Sequence, residues 1–217
     1  MSCCSGKGCD EFFNDRVARR DARRYGRKGL DGDARRIVEL VRRGGIEGRT
    51  VLEVGGGVGA IQLELLQAGA KRTVNVELSP AYEPYAAELL RVSGLDGRAD
   101  RRVLDFAERA EELEPADVVV LHRVVCCYPD YETLVGGAAE HTRDQLLLTF
   151  PRDAWWMRIG LSTINRLQRL RRNAFRVYLH APAAILDVAS SHGLEIANRE
   201  RGPLWELVRF ERSTGQA

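Results

Sequence analysis

The chain has 217 residues, of which 44% are hydrophobic and 29% charged, with a formal net charge of +2. That is enough apolar material for one core, since single cores grow to roughly 250 residues before chains split, so a disordered chain is excluded and one domain is predicted. The charge is too small to demand a polyanionic partner, and no apolar run approaches the roughly 18 residues that span a membrane.

Residues 1–30 carry Cys3, Cys4 and Cys9 and then a dense basic stretch: Arg16, Arg19, Arg20, Arg23, Arg24, Arg27 and Lys28. These charges are interleaved with Asp10, Glu11, Asp15 and Asp21. The mixture predicts the solvated face of a helical arm rather than a phosphate-binding stripe, and argues against nucleic acid. Met1 leads into Ser, Cys and Gly instead of a basic segment and an apolar one, which predicts a cytoplasmic location with reduced thiols.

Residues 31–43 read as a helix, with Ala34, Ile37, Val38 and Val41 on one face and Gly44-Gly45 as the stop. Residues 50–54 form a short buried strand, and 60–68 the helix after it. Residues 72–77 form a second strand, and Pro80 opens the next helix. Residues 101–104 are a weaker third strand, 117–121 the clearest buried one, and 145–149 a fifth. A helix follows at 182–192, and two strands, 194–198 and 204–210, flank Arg201-Gly202-Pro203. Apolar strands alternating with helices predict a parallel sheet covered on both faces, here with an antiparallel edge from the final pair.

The strongest local signal is Val51-Leu-Glu-Val-Gly-Gly-Gly-Val-Gly-Ala60, a strand, a tight turn and a helix start. Gly55, Gly57 and Gly59 let backbone approach a ligand where a Cβ would collide. Taken alone the run also fits a dinucleotide site, but Glu53 would repel a pyrophosphate and accept a bond from a cationic amino-acid moiety. Glu77, with Leu78 after it, ends the second strand, where a carboxylate accepts ribose hydroxyls. Asp105-Phe106 follows the third strand and offers a carboxylate and a ring to a base. After the fourth strand come His122, Arg123, Cys127, Tyr128 and Asp130, beyond the carboxyl ends of the strands where ligands bind. His122 is a candidate general base, because its ordinary pKa is near neutrality, and is a candidate for contact with the cofactor as well.

Together these residues resemble the class I S-adenosylmethionine-dependent methyltransferases. The resemblance rests on Glu53, Gly55, Gly57, Gly59 and Glu77, and covers about residues 31–212. It implies a Rossmann-like doubly wound α/β sheet, S-adenosylmethionine as cofactor and a methyl acceptor that is a small molecule. The implied layout is an N-terminal helical cap over residues 1–30 and a methyltransferase domain over residues 31–217, with a lid-like insertion at about 151–180. Within this class, Phe12-Phe-Asn14, Arg24-Tyr25-Gly26, Tyr128-Pro129, Phe150-Pro-Arg-Asp153 and Tyr178-Leu-His180 look like landmarks of the magnesium-protoporphyrin O-methyltransferases, in the same order. That resemblance implies a catalytic Tyr25 near the methyl group, with Tyr128 beside the acceptor. The family carries a histidine immediately before the Tyr-Pro pair, and here that position is Cys127.

The cysteines open a second mechanism. Five cysteines in two clusters, with Cys126-Cys127 as the second, make a poor disulfide framework. If the cap lies over the loop after the fourth strand, Cys3, Cys4, Cys9, Cys126 and Cys127 converge on a thiol site for a soft ion such as trivalent arsenic. An RNA methyltransferase and a non-enzymatic cofactor-binding regulator are the remaining readings. Trp155-Trp156 through Arg172 is amphipathic and basic, and is expected as a lid, an interfacial helix or a dimer surface; monomer and homodimer both stay open.

Overall fold

The computed structural model describes residues 7–213. Its elements are α1 (Lys7–Phe12), α2 (Asp15–Lys28), α3 (Gly32–Arg43), β1 (Thr50–Val54), α4 (Ala60–Gln67), β2 (Arg72–Glu77), α5 (Glu83–Val92), β3 (Ala99–Val103), α6 (Phe106–Arg109), β4 (Ala116–His122), α7 (Tyr131–Glu140), β5 (Thr142–Pro151), α8 (Trp155–Leu170), α9 (Pro182–Ser191), β6 (Leu194–Arg201) and β7 (Trp205–Arg212). The strands form one sheet in the order β3-β2-β1-β4-β5-β7-β6. The first five run parallel, and β7 is antiparallel to both β5 and β6. This is the expected doubly wound sheet with an antiparallel C-terminal edge.

Local chemistry explains the element ends. The Asn14 side chain accepts from the Arg16 and Val17 N–H groups and starts α2. Asp31 does the same for α3 through the Ala34 N–H. The helix expected to open at Pro80 begins as a single turn of 3-10 helix, Pro80–Tyr82, and becomes α-helical at Glu83 with Pro84 in its first turn. The last two strands extend two to three residues beyond the apolar runs that announced them, because antiparallel pairing with β5 and with each other continues there.

Each face of the sheet carries its own core. Ile37, Val41, Leu63 and Leu66 of α3 and α4 pack on one face with Val51, Val118 and Val120. Leu134, Val135, Ile185 and Ala189 of α7 and α9 pack on the other with Leu52, Val119, Leu121 and Leu146. The strand order turns between β1 and β4, the topological switch point at which such sheets bind ligands. In register, Val54 pairs with both Val76 and Leu121, so β1, β2 and β4 end at one level and their following loops converge.

The 151–180 segment departs from the expected lid. After α8 the chain returns in an irregular stretch that buries Phe175 against Phe12 and Phe13. Asn165 pins this return by bonding both the N–H and the C=O of Val177, and the Tyr178 N–H donates to the Cys126 carbonyl. The segment buttresses the cap and the β4 loop from behind, and α8 turns its apolar side chains outward.

Candidate active site

A cavity of about 210 Å³ opens at the carboxyl ends of β1, β2 and β4. On one side its wall is Gly55, Gly57, Glu77, Leu78, Asp105 and Phe106. On the other it is His122, Arg123, Val124, Cys127 and Tyr128, with Cys9, Phe13 and Tyr82 contributed from the cap side. Residues far apart in the chain therefore share one chamber.

The glycine turn is built for close approach. Gly55 and Gly57 both have positive φ, 68° and 55°. A Cβ on Gly55 would lie 2.5 Å from a methyl of Val124 and intrude on the wall. Gly59 is the left-handed N-cap of α4, outside the cavity wall; its Cβ would meet Gln62 and Arg101. Its role is the turn itself.

Glu77 is almost wholly buried and closely held. Its Oε1 accepts from the Leu78 and Ser79 N–H groups at 2.8 and 3.0 Å, and its Oε2 from the Gly57 N–H at 2.8 Å. A carboxylate oxygen accepts two bonds, so Oε2 retains capacity for a ligand hydroxyl. Burial pushes this carboxyl up, against the three N–H groups that favour its ionised form.

Glu53 does something other than expected. Its Oε2 accepts from the Gln62 N–H at 3.1 Å and from Asn75 Nδ2 at 2.9 Å, beneath Gly56, and it forms no part of the cavity wall. It ties the glycine turn to α4 and β2 instead of meeting a cationic ligand. Burial pushes its carboxyl up to about 7, with the Arg101 charge opposing.

His122 lies in the wall, but its neighbours argue against a general base. Thr149 Oγ1 accepts the Arg123 N–H at 2.8 Å and lies 3.0 Å from His122 Nδ1. Nε2 faces Asp31 Oδ1 at 4.0 Å. A proton on Nε2 suits the carboxylate, and the Thr149 hydroxyl then donates to Nδ1; this tautomer is assigned from the network. Burial, with the Arg123 charge adding to it, lowers the His122 pKa to about 4. The ring is neutral at pH 7, its lone pair is engaged by Thr149, and it acts as a polar wall group.

Tyr25 is also moved. Its hydroxyl donates to Glu64 Oε1 at 3.1 Å on α4, among the α3–α4 core side chains and away from the cavity. Burial raises its pKa, so it is an un-ionised structural donor. We expect Tyr25→Phe to cost about 1 kcal/mol of stability, the worth of one hydrogen bond, and to leave turnover unchanged; chemical denaturation beside an activity assay checks both. The cap reaches the cavity at its other end, where Cys9 and Phe13 stand in the wall. The Phe13 carbonyl accepts from Ser79 Oγ at 2.7 Å, and Tyr82 and Tyr85 donate to Asp21 and Asp15 of α2.

On the remaining side, Tyr128 donates to Asp105 Oδ2 at 3.2 Å, joining the loop after β3 to the loop after β4. Asp105 Oδ1 accepts from the Ala107 N–H and starts α6. Phe106 is buried and lines the cavity. Of the cysteines, Cys9 and Cys127 line the cavity, and Cys126 lies behind with its sulfur 3.8 Å from that of Cys127. Cys3 and Cys4 lie outside the described residues. Among those residues no cluster of three His, Cys, Asp or Glu side chains is arranged to hold a metal ion.

Two participants, Arg101 and Thr149, have no local sequence signal, and Arg123, which the sequence did single out, has partners it did not reveal. Arg101 donates to the Gly57 carbonyl at 2.8 Å and to Glu83, clamping the glycine turn from β3. Arg123, at a strained φ of 60°, binds Asp31 and Asp33 at 2.8 and 2.6 Å and lies 4.9 Å over the Trp205 ring. Thr149 sets the state of His122.

No family model matches the chain. The structure is similar to a magnesium protoporphyrin IX methyltransferase from Synechocystis PCC 6803 with bound SAH, at 22% identity and TM-score 0.73, covering 94% of this chain and 97% of that one. The same protein with bound SAM gives a TM-score of 0.70 at 21% identity, covering 94% of each chain. An O-methyltransferase family protein from Burkholderia thailandensis gives 0.71 at 19% identity, covering 96% of this chain and 64% of that one. The chain therefore has the fold of the Rossmann-like methyltransferases.

Proposed function

We propose that this chain transfers the methyl group of S-adenosylmethionine to a small-molecule acceptor with a largely apolar body. The observation that carries this reading is Glu77, a held carboxylate with an acceptor position left on Oε2, in one wall with Gly55, Gly57, Leu78, Asp105 and Phe106. Glu77 would take the ribose hydroxyls, the two glycines would admit the amino-acid end, and Leu78, Asp105 and Phe106 would hold the base. The cofactor supplies an electrophilic methyl on a sulfonium.

The chain's own contribution is alignment and exclusion of water. Phe13, Val124 and Leu134 give the chamber apolar walls, and Cys9 adds to them from the N-terminal segment. His122 would offer Nε2–H as a donor, and Tyr128 would orient the acceptor while bonded to Asp105. His122, lowered to about 4 and with its lone pair engaged by Thr149, is a poor general base, which favours acceptors that are already acidic, such as carboxylic acids or phenols.

The test is incubation of the full chain with methyl-labelled S-adenosylmethionine and a mixture of aromatic acids and phenols, beside RNA. Label is expected in the solvent-extractable small molecules; label in RNA alone, or none in any fraction, contradicts the proposal. Tyr128→Phe is expected to lower kcat about a hundredfold, the scale of misaligning the acceptor by about 1 Å. Its cofactor Kd should change by less than about tenfold, the scale of one neutral hydrogen bond. Turnover and calorimetry on the same preparation check the split.

A further inference from the structure

Helix α8 is the least covered element of the fold. Of ten exposed large hydrophobic side chains among the described residues, six lie on it: Trp155, Trp156, Ile159, Ile164, Leu167 and Leu170. Trp155 and Leu170, at its two ends, are 74% and 77% exposed. At about 100° per residue, Trp155, Ile159, Leu170, Trp156 and Leu167 fall within an arc of about 120°. Gln168 and Asn165 mark the opposite face; Gln168 is buried and Asn165 is bonded to Val177. A solvated surface helix shows its polar side, and this one shows its apolar side.

The charge pattern names the occupant. Between Asp153 and Asp187 the sequence has six arginines and no acidic residue. Arg158, which is paired with Asp153 at 2.8 Å, and Arg169 border the apolar arc along one side, Arg166 stands within it, and Arg171 and Arg172 follow directly. Tryptophan and leucine on one face with arginines along the border is the pattern of a helix lying in a lipid headgroup layer, where the guanidinium groups meet phosphates. A second copy of the chain would bring the same arginines against themselves. No helix among the described residues is long and apolar enough to cross a membrane, so contact is at the surface.

We propose that α8 docks this protein on an anionic lipid surface. The helix begins four residues after β5 ends, at the carboxyl end of the sheet where the cavity opens. The segment that follows stacks Phe175 on Phe12 at 4.4 Å and edges it against Phe13 at 5.3 Å, and Phe13 is a wall residue. Docking therefore sets the cavity's rim beside the bilayer, and the acceptor is an apolar molecule that partitions into it. This consequence for the acceptor rests on the methyl-transfer reading. The docking does not, and its test needs no cofactor.

The full chain is mixed with vesicles of phosphatidylglycerol and, separately, phosphatidylcholine, followed by flotation and tryptophan emission. Co-flotation with phosphatidylglycerol is expected, with emission moving to shorter wavelength, at least tenfold weaker binding to phosphatidylcholine and loss on raising salt. Ile159→Asp with Leu170→Asp changes two exposed positions and should reduce vesicle binding at least tenfold without altering the circular dichroism. The proposal is overturned by no flotation with phosphatidylglycerol, or by equal flotation of the double variant. It is likewise overturned by a dimer in light scattering that the double variant splits, or by binding of an RNA oligomer without binding of vesicles.

Discussion

Glu77→Gln is expected to weaken S-adenosylmethionine binding by ten- to a hundredfold and to destabilise the protein as well. Three backbone N–H groups point at the two carboxylate oxygens. A glutamine has one acceptor oxygen. If it serves Leu78 and Ser79, its NH₂ group faces the Gly57 N–H, and a buried donor is left opposed to a donor. A hydrogen bond to a charged partner contributes about 1.5–3 kcal/mol, so the loss is of that size in folding. The acceptor position on Oε2 disappears at the same time, which costs a ribose hydroxyl a comparable amount and gives the stated fall in affinity. Denaturant titration and calorimetry on the variant measure the two effects separately. Affinity equal to that of the parent would remove Glu77 from the site.

The second large effect concerns Glu53 and pH. Its carboxyl is pushed up to about 7 from an ordinary 4.5. A carboxyl raised in the folded state contributes stability that is full below its unfolded pKa and lost as pH rises through the folded one. Between about pH 5 and about pH 8 that loss is roughly 2–3 kcal/mol. His122 works in the opposite sense: lowered to about 4, its contribution is present above the ordinary 6.5 and is lost as pH falls through the lower value. The pH profile of the parent mixes both, so the informative quantity is the difference from Glu53→Gln. The amide oxygen can take both the Gln62 and the Asn75 donors, as the protonated acid does. Glu53→Gln is therefore expected to gain on the parent by roughly 2–3 kcal/mol between about pH 5 and about pH 8 in urea melts, and cofactor affinity should stay within about fivefold. Parallel stability profiles would show that Glu53 is ionised at no cost.

What the sequence disclosed and what it withheld follow from distance along the chain. The glycine turn, Glu77-Leu78 and Asp105-Phe106 were legible because each stands at the carboxyl end of its own strand, where strand order alone sends it to the cavity. Glu53 was misread because its partner is set by register: Asn75 lies directly across the β1–β2 pair, and no local pattern reveals that. His122 was found and its chemistry missed, since Thr149 and Asp31, which fix its proton, arrive from β5 and the start of α3. Tyr25 came from the family likeness, and its side chain reaches from α2 to Glu64 on α4 instead. The 155–172 stretch read as amphipathic, but which side faces outward depends on Asn165 and Phe175 anchoring the return, a tertiary fact.

The central claim is that the cavity at the ends of β1, β2 and β4 is a site for S-adenosylmethionine. Titrating S-adenosylmethionine, and then its demethylated product, into the full chain by isothermal calorimetry tests it most directly. The account predicts saturable binding of both, one molecule per chain, each displacing the other, with both affinities reduced together in Glu77→Gln. No heat of binding from either ligand at concentrations up to about 1 mM, with the chain shown folded by circular dichroism, would contradict it.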